Sequence, residues 1–243
     1  MRKQRSWKVE TAVYLTVAFM AAGALGVVQP ATGVPEEVVQ LTQFGPAFGV
    51  GIAAVLWPAR TRELLVGVQA RRGDSRTPLL APFAIIALSA GPYALLTGAA
   101  HATDPRSPHH AFPVIVVAQL IGACGEEAGW RCFMQPLLRT RFNVLGASVV
   151  VGVAWGLWHV QVLVQAPAYA AGFLLATVAM SVLLGAALES SGGWRRLLLA
   201  GGFHTLVNLG MLLLMDEETG RAEPMLLFGL ACVLVAGVRG RHG

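Results

Sequence analysis

The chain has 243 residues, of which 55% are hydrophobic and 13% charged, and its formal net charge is +5. A soluble domain of this size usually carries about 25% charged residues, so little polar material is available to coat a soluble globule. The composition therefore predicts an integral membrane protein. The basic residues fall in short clusters between apolar runs rather than in a stripe interleaved with aromatic residues, which argues against nucleic-acid binding.

Eight apolar segments follow one another along the chain. Most approach the length of about 20 residues that a helix needs to cross a bilayer. We therefore predict an all-α fold, a polytopic membrane bundle of about eight transmembrane helices forming one domain over residues 1–243. The segments are approximately Thr11–Val28, Val38–Trp57, Leu79–Ala99, Pro113–Leu138, Val144–Gln165, Tyr169–Leu188, Leu197–Met215 and Pro224–Val238.

The basic stretch MRKQRSWK precedes the first apolar segment, and a signal peptide has the same order of a basic and an apolar region. The segment is long for a signal peptide, and no convincing small-x-small cleavage site ends it. We therefore expect it to remain as a membrane span. Between the fifth and sixth segments the only visible break is QAPAY, where Pro167 predicts a tight turn.

The charged residues predict the orientation. With eight crossings and the N-terminus inside, fifteen of the eighteen basic residues fall on the cytoplasmic side, as the positive-inside rule requires. We therefore expect both termini in the cytoplasm. The cytoplasmic clusters are Arg2, Lys3, Arg5 and Lys8; Arg60, Arg62, Arg71, Arg72 and Arg76; Arg139 and Arg141; Arg195 and Arg196; and Arg239 and Arg241.

Three ionisable residues interrupt the fourth segment, in the stretch GEEAGWR. Charges at the centre of a membrane are costly and need a partner or a function. Glu127 and Arg131 are four residues apart on one helix face, the spacing of an ion pair. Glu126 points about 100° away from Glu127. The spacing therefore predicts a structural ion pair between Glu127 and Arg131 and leaves Glu126 to face something else.

Polar residues also interrupt two later segments. WGLWHV places His159 in the fifth segment, and GGFHTLVN places His204 and Asn208 on one face of the seventh. At about 1.5 Å per residue, these three residues and Glu126 lie within one or two turns of a common depth. We therefore expect a shared polar cavity inside the membrane, although an isolated intramembrane His or Asn often serves only helix packing.

The motifs EEAGWR, WGLWH and HTLVN occur in this order on separate segments. They are similar to the EExxxR, FxxxH and HxxxN motifs of the CPBP family of CAAX-protease and bacteriocin-processing (Abi) intramembrane proteases, which is related to the Ras-converting CAAX endopeptidase. By motif the resemblance covers residues 121–208, and the corresponding catalytic core spans about 113–215. One departure is Trp155, which stands where the family usually has Phe. We expect it to alter the shape of the cavity.

The resemblance implies an all-helical intramembrane endopeptidase with a water-filled cavity. Carried over to this chain, Glu126 and His159 hold and activate a water molecule, while His204 and Asn208 stabilise the oxyanion. Such a mechanism requires no cofactor. The alternative is a zinc ion bound by Glu126, His159 and His204, although HExxH is absent.

Other functions stay open at this level. A non-catalytic immunity or scaffold protein could carry the same fold, and intramembrane Glu and His residues also serve transporters and proton relays. The expected partners are the lipid bilayer and a peptide or membrane-protein substrate. High Ala, Gly, Val and Arg content with few lysines favours a bacterial cytoplasmic membrane as the location.

Overall fold

The computed structural model describes residues 7–36, 38–67, 74–98, 111–214 and 221–240. Six of the basic residues predicted to lie on the cytoplasmic side are outside these ranges: Arg2, Lys3, Arg5, Arg71, Arg72 and Arg241. The described residues contain helices and connecting turns only, with no strand among them, which confirms the all-α fold class.

The helices follow the apolar segments closely. The long first segment forms a single helix, and the fourth runs on as α5, a π-helical turn and α6 without a break. The helices are α1 (Trp7–Thr32), α2 (Gly45–Leu56), α3 (Pro58–Val66), α4 (Arg76–Thr97), α5 (Phe112–Gly129), α6 (Gln135–Arg139), α7 (Val144–Trp158), α8 (Pro167–Ala187), α9 (Gly193–Leu214) and α10 (Ala222–Gly240). A 3₁₀ helix (Leu41–Phe44) precedes α2, another (Val160–Val164) follows α7, and the π-helical turn is Trp130–Met134.

Five helical stretches are long and apolar enough to cross a membrane: α1, α4, residues 112–139, α8 and α9. The other three apolar segments form shorter helices, Leu41–Leu56, Val144–Trp158 and Ala222–Val238. A helix of 15 residues is only about 22 Å long, less than the hydrocarbon thickness of about 30 Å. The eight predicted segments are therefore found as a polytopic bundle of five long and three short helices.

The fifth segment is where the prediction of a continuous helix is wrong. α7 ends at Trp158. The backbone of His159 has φ −79° and ψ 66°, and this ψ lies outside the α-helical region, so the α-helix cannot continue through His159. The 3₁₀ helix that follows carries the chain to Gln165 before α8 begins with Pro167 at its first position. His159 is thus placed at a helix end inside the bundle, where its side chain is not confined to one helix face.

Glycine faces allow the helices around the polar residues to approach closely. An added Cβ on Gly125 of α5 would collide with Phe44, and one on Gly129 would collide with Tyr14 and Pro46. Close approach over small residues is the usual way in which helices associate within membranes. α5 therefore packs tightly against α2 on one side while it packs against α9 on another.

Candidate active site

The polar core begins with the two adjacent glutamates near the end of α5. Glu126 is 1% exposed and Glu127 is fully buried, so neither carboxylate faces lipid. The π-helical turn that starts at Trp130 follows them directly. π-Helical turns are rare and are frequently found at functional sites, because they widen the helix locally and redirect side chains.

Glu127 contacts two basic side chains. Arg131 Nε lies 3.4 Å from Glu127 Oε2, and both side chains are buried. On the other side, His204 Nδ1 lies 3.0 Å from Glu127 Oε1. The i,i+4 spacing in the sequence predicts the contact with Arg131. The contact with His204 joins residues 77 positions apart and has no sequence signal.

Glu126 faces a different neighbour. Its Oε2 accepts a hydrogen bond of 2.9 Å from Trp155 Nε1 on α7. The Trp155 ring lies edge-on to His204, with 5.2 Å between ring centroids, and it also lies beneath the Arg131 guanidinium. The residue that departs from the family motif therefore holds the Glu126 carboxylate, and it is not among the residues that line the cavity described below.

His159 is held at the end of α7 by its backbone and by aromatic rings. Its Nδ1 lies 2.9 Å from the carbonyl oxygen of Trp155, which makes Nδ1 the protonated nitrogen when the ring is neutral. The rings of Trp158 and Phe173 each lie 4.9 Å from the imidazole, centroid to centroid. His159 Nε2 is therefore the nitrogen left to accept a hydrogen bond.

Asn208 lies one turn beyond His204 on α9. Its Nδ2 donates a hydrogen bond of 3.2 Å to Gln119 Oε1 on α5. One amide hydrogen of Asn208 is thereby engaged, and the other is available to a ligand. Gln119 lies outside the three motifs, and only its polar character within an apolar run could have indicated it.

A single cavity of about 430 Å³ joins these side chains. A water molecule occupies about 30 Å³ in the liquid, so the cavity has room for several waters or a short peptide segment. Glu126, His159, His204 and Asn208 all line it. The sequence predicts this shared cavity, and the structure contains it. Four glutamines and a glutamate that the sequence analysis did not single out also line it: Gln40, Gln43, Gln161, Gln165 and Glu36.

The structure does not place a set of side chains that matches the alternative of a zinc site. Among the described residues, no group of three His, Cys, Asp or Glu side chains is placed to share a metal ion. As placed, Glu126, His159 and His204 therefore do not form a shared metal site.

Together, the bundle and its cavity define a class: a polytopic helical membrane protein with Glu, His and Asn side chains gathered at a buried polar site. Comparison with known protein families finds one that this chain resembles. Residues 108–210 match the family described as Type II CAAX prenyl endopeptidase Rce1-like, and all six residues predicted for the site lie inside this range. The resemblance to the CPBP family is thus confirmed over this segment.

Three staphylococcal proteins named lysostaphin resistance protein A are also similar to this chain. The protein of Staphylococcus haemolyticus is 24% identical over 237 residues, which cover 94% of this chain and 64% of the relative. The protein of Staphylococcus aureus (strain MRSA252) is 23% identical over 235 residues, covering 95% and 55%. That of Staphylococcus epidermidis (strain RP62A) is 28% identical over 121 residues, covering 50% and 31%. The chain thus spans about one third to two thirds of these relatives.

Proposed function

We propose that this protein is an intramembrane endopeptidase that hydrolyses a peptide bond with a water molecule activated by Glu126 and His159. The observation that carries the proposal is the single buried cavity lined by Glu126, His159, His204 and Asn208. These groups supply a proton acceptor, a second group that holds the water, and two hydrogen-bond donors. Amide hydrolysis requires all of these functions.

In the proposed reaction, the Glu126 carboxylate takes a proton from water while the oxygen attacks the peptide carbonyl. Oε2 of Glu126 is engaged by Trp155, so Oε1 is the oxygen free to act as the base. His159 Nε2 accepts a hydrogen bond from the other O–H of the same water and so orients the water, while that hydrogen stays on the attacking oxygen. When the tetrahedral intermediate collapses, Glu126 returns its proton to the leaving amine and the C–N bond breaks, so that protons balance over the cycle.

The oxyanion requires donors on the opposite side of the carbonyl. The free amide hydrogen of Asn208 supplies one. His204 supplies the other through Nε2–H, and because its Nδ1 already donates to the Glu127 carboxylate, both nitrogens carry hydrogen only in the imidazolium form. Glu127 is therefore a positioning residue, since it orients His204 and balances its positive charge.

The mouth of the cavity indicates from which side a substrate enters. Its lining includes Glu36 and Gln40 before α2, Gln165 before α8 and Leu212 near the end of α9. These positions lie at the end of the bundle opposite the arginines that start α3 and end α6. With the orientation that the charge distribution favours, the cavity opens on the extracytoplasmic side, and the substrate is a peptide segment presented there.

The test is a comparison of membranes that contain the wild type or Glu126→Gln, each incubated with membrane and secreted peptides and analysed by mass spectrometry for new termini. The side-chain amide introduced by this substitution can still accept the hydrogen bond from Trp155 but cannot act as a base, so folding should persist and cleavage should be lost. New termini that appear equally with both proteins would defeat the proposal. Addition of a chelator to the wild type tests the zinc alternative, because loss of cleavage that zinc restores would favour a metal.

A second candidate function is resistance without catalysis, which the names of the similar staphylococcal proteins suggest. In that case the cavity would bind rather than cleave. Expression in a lysostaphin-sensitive host distinguishes the two functions. Protection that survives Glu126→Gln favours the non-catalytic function, whereas protection that requires an intact Glu126 favours the protease.

A further inference from the structure

A second cavity, of about 410 Å³, lies at the other end of the bundle. It is bordered by α3, by the end of α6, by the end of α8 and by the start of α9, whereas the first cavity reaches the end of α7 and the start of α8. None of the proposed catalytic residues lines it. The distinguishing feature of its lining is a set of four arginines: Arg60, Arg131, Arg139 and Arg196.

Two of these arginines lie at the rim and are paired. Arg60 Nη1 lies 3.1 Å from Glu63 Oε2, and Arg139 Nη2 lies 2.5 Å from Glu189 Oε1. All four of these side chains line the cavity. The rim therefore carries charges of both signs in equal number and offers no net attraction to a ligand.

The two interior arginines differ from the rim pairs because they are buried and incompletely satisfied. Arg196 is 8% exposed and Arg131 is 1% exposed. Within the described part of the chain, Arg196 Nη1 and both Arg131 Nη atoms have no hydrogen-bond partner. Arg131 shares Glu127 with His204, and no acidic side chain among the described residues pairs with Arg196. A buried cation in this state is expensive without a counter-charge.

The chemistry of these donors selects the ligand. Guanidinium groups bind phosphate oxygens through pairs of parallel hydrogen bonds, which suits two arginine side chains at one cavity. Gln135 Oε1, which also lacks a partner among the described residues, can accept a hydrogen bond from a hydroxyl of the ligand. We propose that this cavity binds a phosphate group, held by Arg196 and Arg131.

The depth of the cavity fits a phosphate from the membrane surface. Arg139 is the last residue of α6, Glu189 follows α8, and Arg196 lies in the first turn of α9. Helix ends in a membrane bundle lie at the level of the headgroups, where basic pockets between helices bind anionic lipids. The same chemistry would also hold a free phosphate ion, so the experiment separates the two sources.

The test measures the melting temperature of the full chain in dodecyl maltoside, a detergent without phosphate. In one arm phosphatidylglycerol is added to the micelles, and in the other sodium phosphate replaces sodium chloride at constant ionic strength. At a ligand concentration of about ten times the dissociation constant, we expect the melting temperature of the wild type to be about 3–6 °C higher than without ligand. If only the lipid raises the melting temperature, the ligand is a lipid headgroup. If phosphate raises it, alone or together with the lipid, the cavity also binds the free ion.

Three variants complete the design. Arg196→Gln should lose the shift and, without ligand, should melt no lower than the wild type, because an unpaired buried charge is removed. Arg196→Lys keeps the charge without the planar fork and should retain only part of the shift. Arg141→Gln is the matched control, since Arg141 is exposed beyond the end of α6 and does not line the cavity. The proposal is overturned if the wild type shows no shift in either arm, or if Arg196→Gln shifts as much as Arg141→Gln.

Discussion

His204 Nδ1 lies 3.0 Å from Glu127 Oε1, so a carboxylate on α5 fixes an imidazole on α9. The same carboxylate contacts Arg131 across one helical turn, with Nε and Oε2 separated by 3.4 Å. All three side chains are buried. Glu127 therefore connects the cavity lined by Glu126 and His204 with the arginine cavity at the opposite end of the bundle. Its contacts extend beyond the local ion pair with Arg131.

Replacement of Glu127 by glutamine should cost both stability and activity. The change leaves Arg131 buried without a counter-charge, and breaking a buried ion pair on one side typically costs about 3–5 kcal/mol. It also removes the anion that balances His204. We expect a lower free energy of unfolding in detergent, measured by thermal denaturation, and loss of cleavage in the peptide assay.

The double variant Glu127→Gln with Arg131→Gln separates these two effects. Because both charges are gone, most of the stability should return, whereas cleavage should not, since His204 still lacks its carboxylate. Full cleavage by a folded double variant would contradict a positioning role for Glu127. A double variant no more stable than the single one would contradict the charge argument.

The sequence predicts the helical class, the positions of the apolar segments and the polar cavity, because these follow from hydrophobic run lengths and from the cost of burying charge. It predicts the Glu127–Arg131 contact because that contact is local. It does not predict the contact between Glu127 and His204 or the hydrogen bond from Trp155 to Glu126, since both depend on how separate helices pack. The helix end at His159 is missed as well, because no glycine or proline marks it.

Trp155 offers a test of how the Glu126 carboxylate is held. Trp155→Phe keeps an aromatic ring but removes the donor to Glu126 Oε2, and hydrogen bonds to charged groups contribute about 1.5–3 kcal/mol. We expect kcat to fall by about tenfold with little change in KM, because about 1.4 kcal/mol corresponds to a factor of ten in rate. Since the family usually has Phe at this position, the variant should fold and keep measurable activity.

The matched control for this change is Trp158→Phe. Trp158 also packs against His159, but its Nε1 has no hydrogen-bond partner among the described residues. Removal of that nitrogen should leave kcat within about twofold of the wild type, because no hydrogen bond is lost. Equal losses of kcat in the two variants would show that ring size, rather than the hydrogen bond to Glu126, determines activity.

The close packing of α7 on α8 should position His159. An added Cβ on Gly152 would lie 2.6 Å from Val178 Cα and 2.9 Å from Ser181 Cβ, so Gly152→Ala forces the two helices apart. Overpacking of this kind typically costs about 1–3 kcal/mol. We expect a lower melting temperature, together with reduced cleavage because the end of α7 moves.

Gly51→Ala is the control for helix propensity. Gly51 lies in α2, and an added Cβ there would meet no atom within 4 Å. Alanine is favoured over glycine in helices by about 1 kcal/mol, so the melting temperature should stay unchanged or rise. If Gly152→Ala behaves in the same way as Gly51→Ala, the packing of α7 on α8 is looser than the structure indicates.

The orientation of the bundle can be measured with single cysteines placed at its two ends. Arg141 and Gln165 are both exposed, the first in the turn between α6 and α7 and the second just before α8. Cys124, Cys132 and Cys232 are free thiols, of which the last two are buried, and all three are replaced by alanine for this purpose. A membrane-impermeant maleimide added to intact spheroplasts should label Gln165→Cys and should reach Arg141→Cys only after the membrane is permeabilised. This result would place the cavity mouth outside, as the arginine distribution favours. The reverse pattern would place the cavity mouth and its substrate in the cytoplasm.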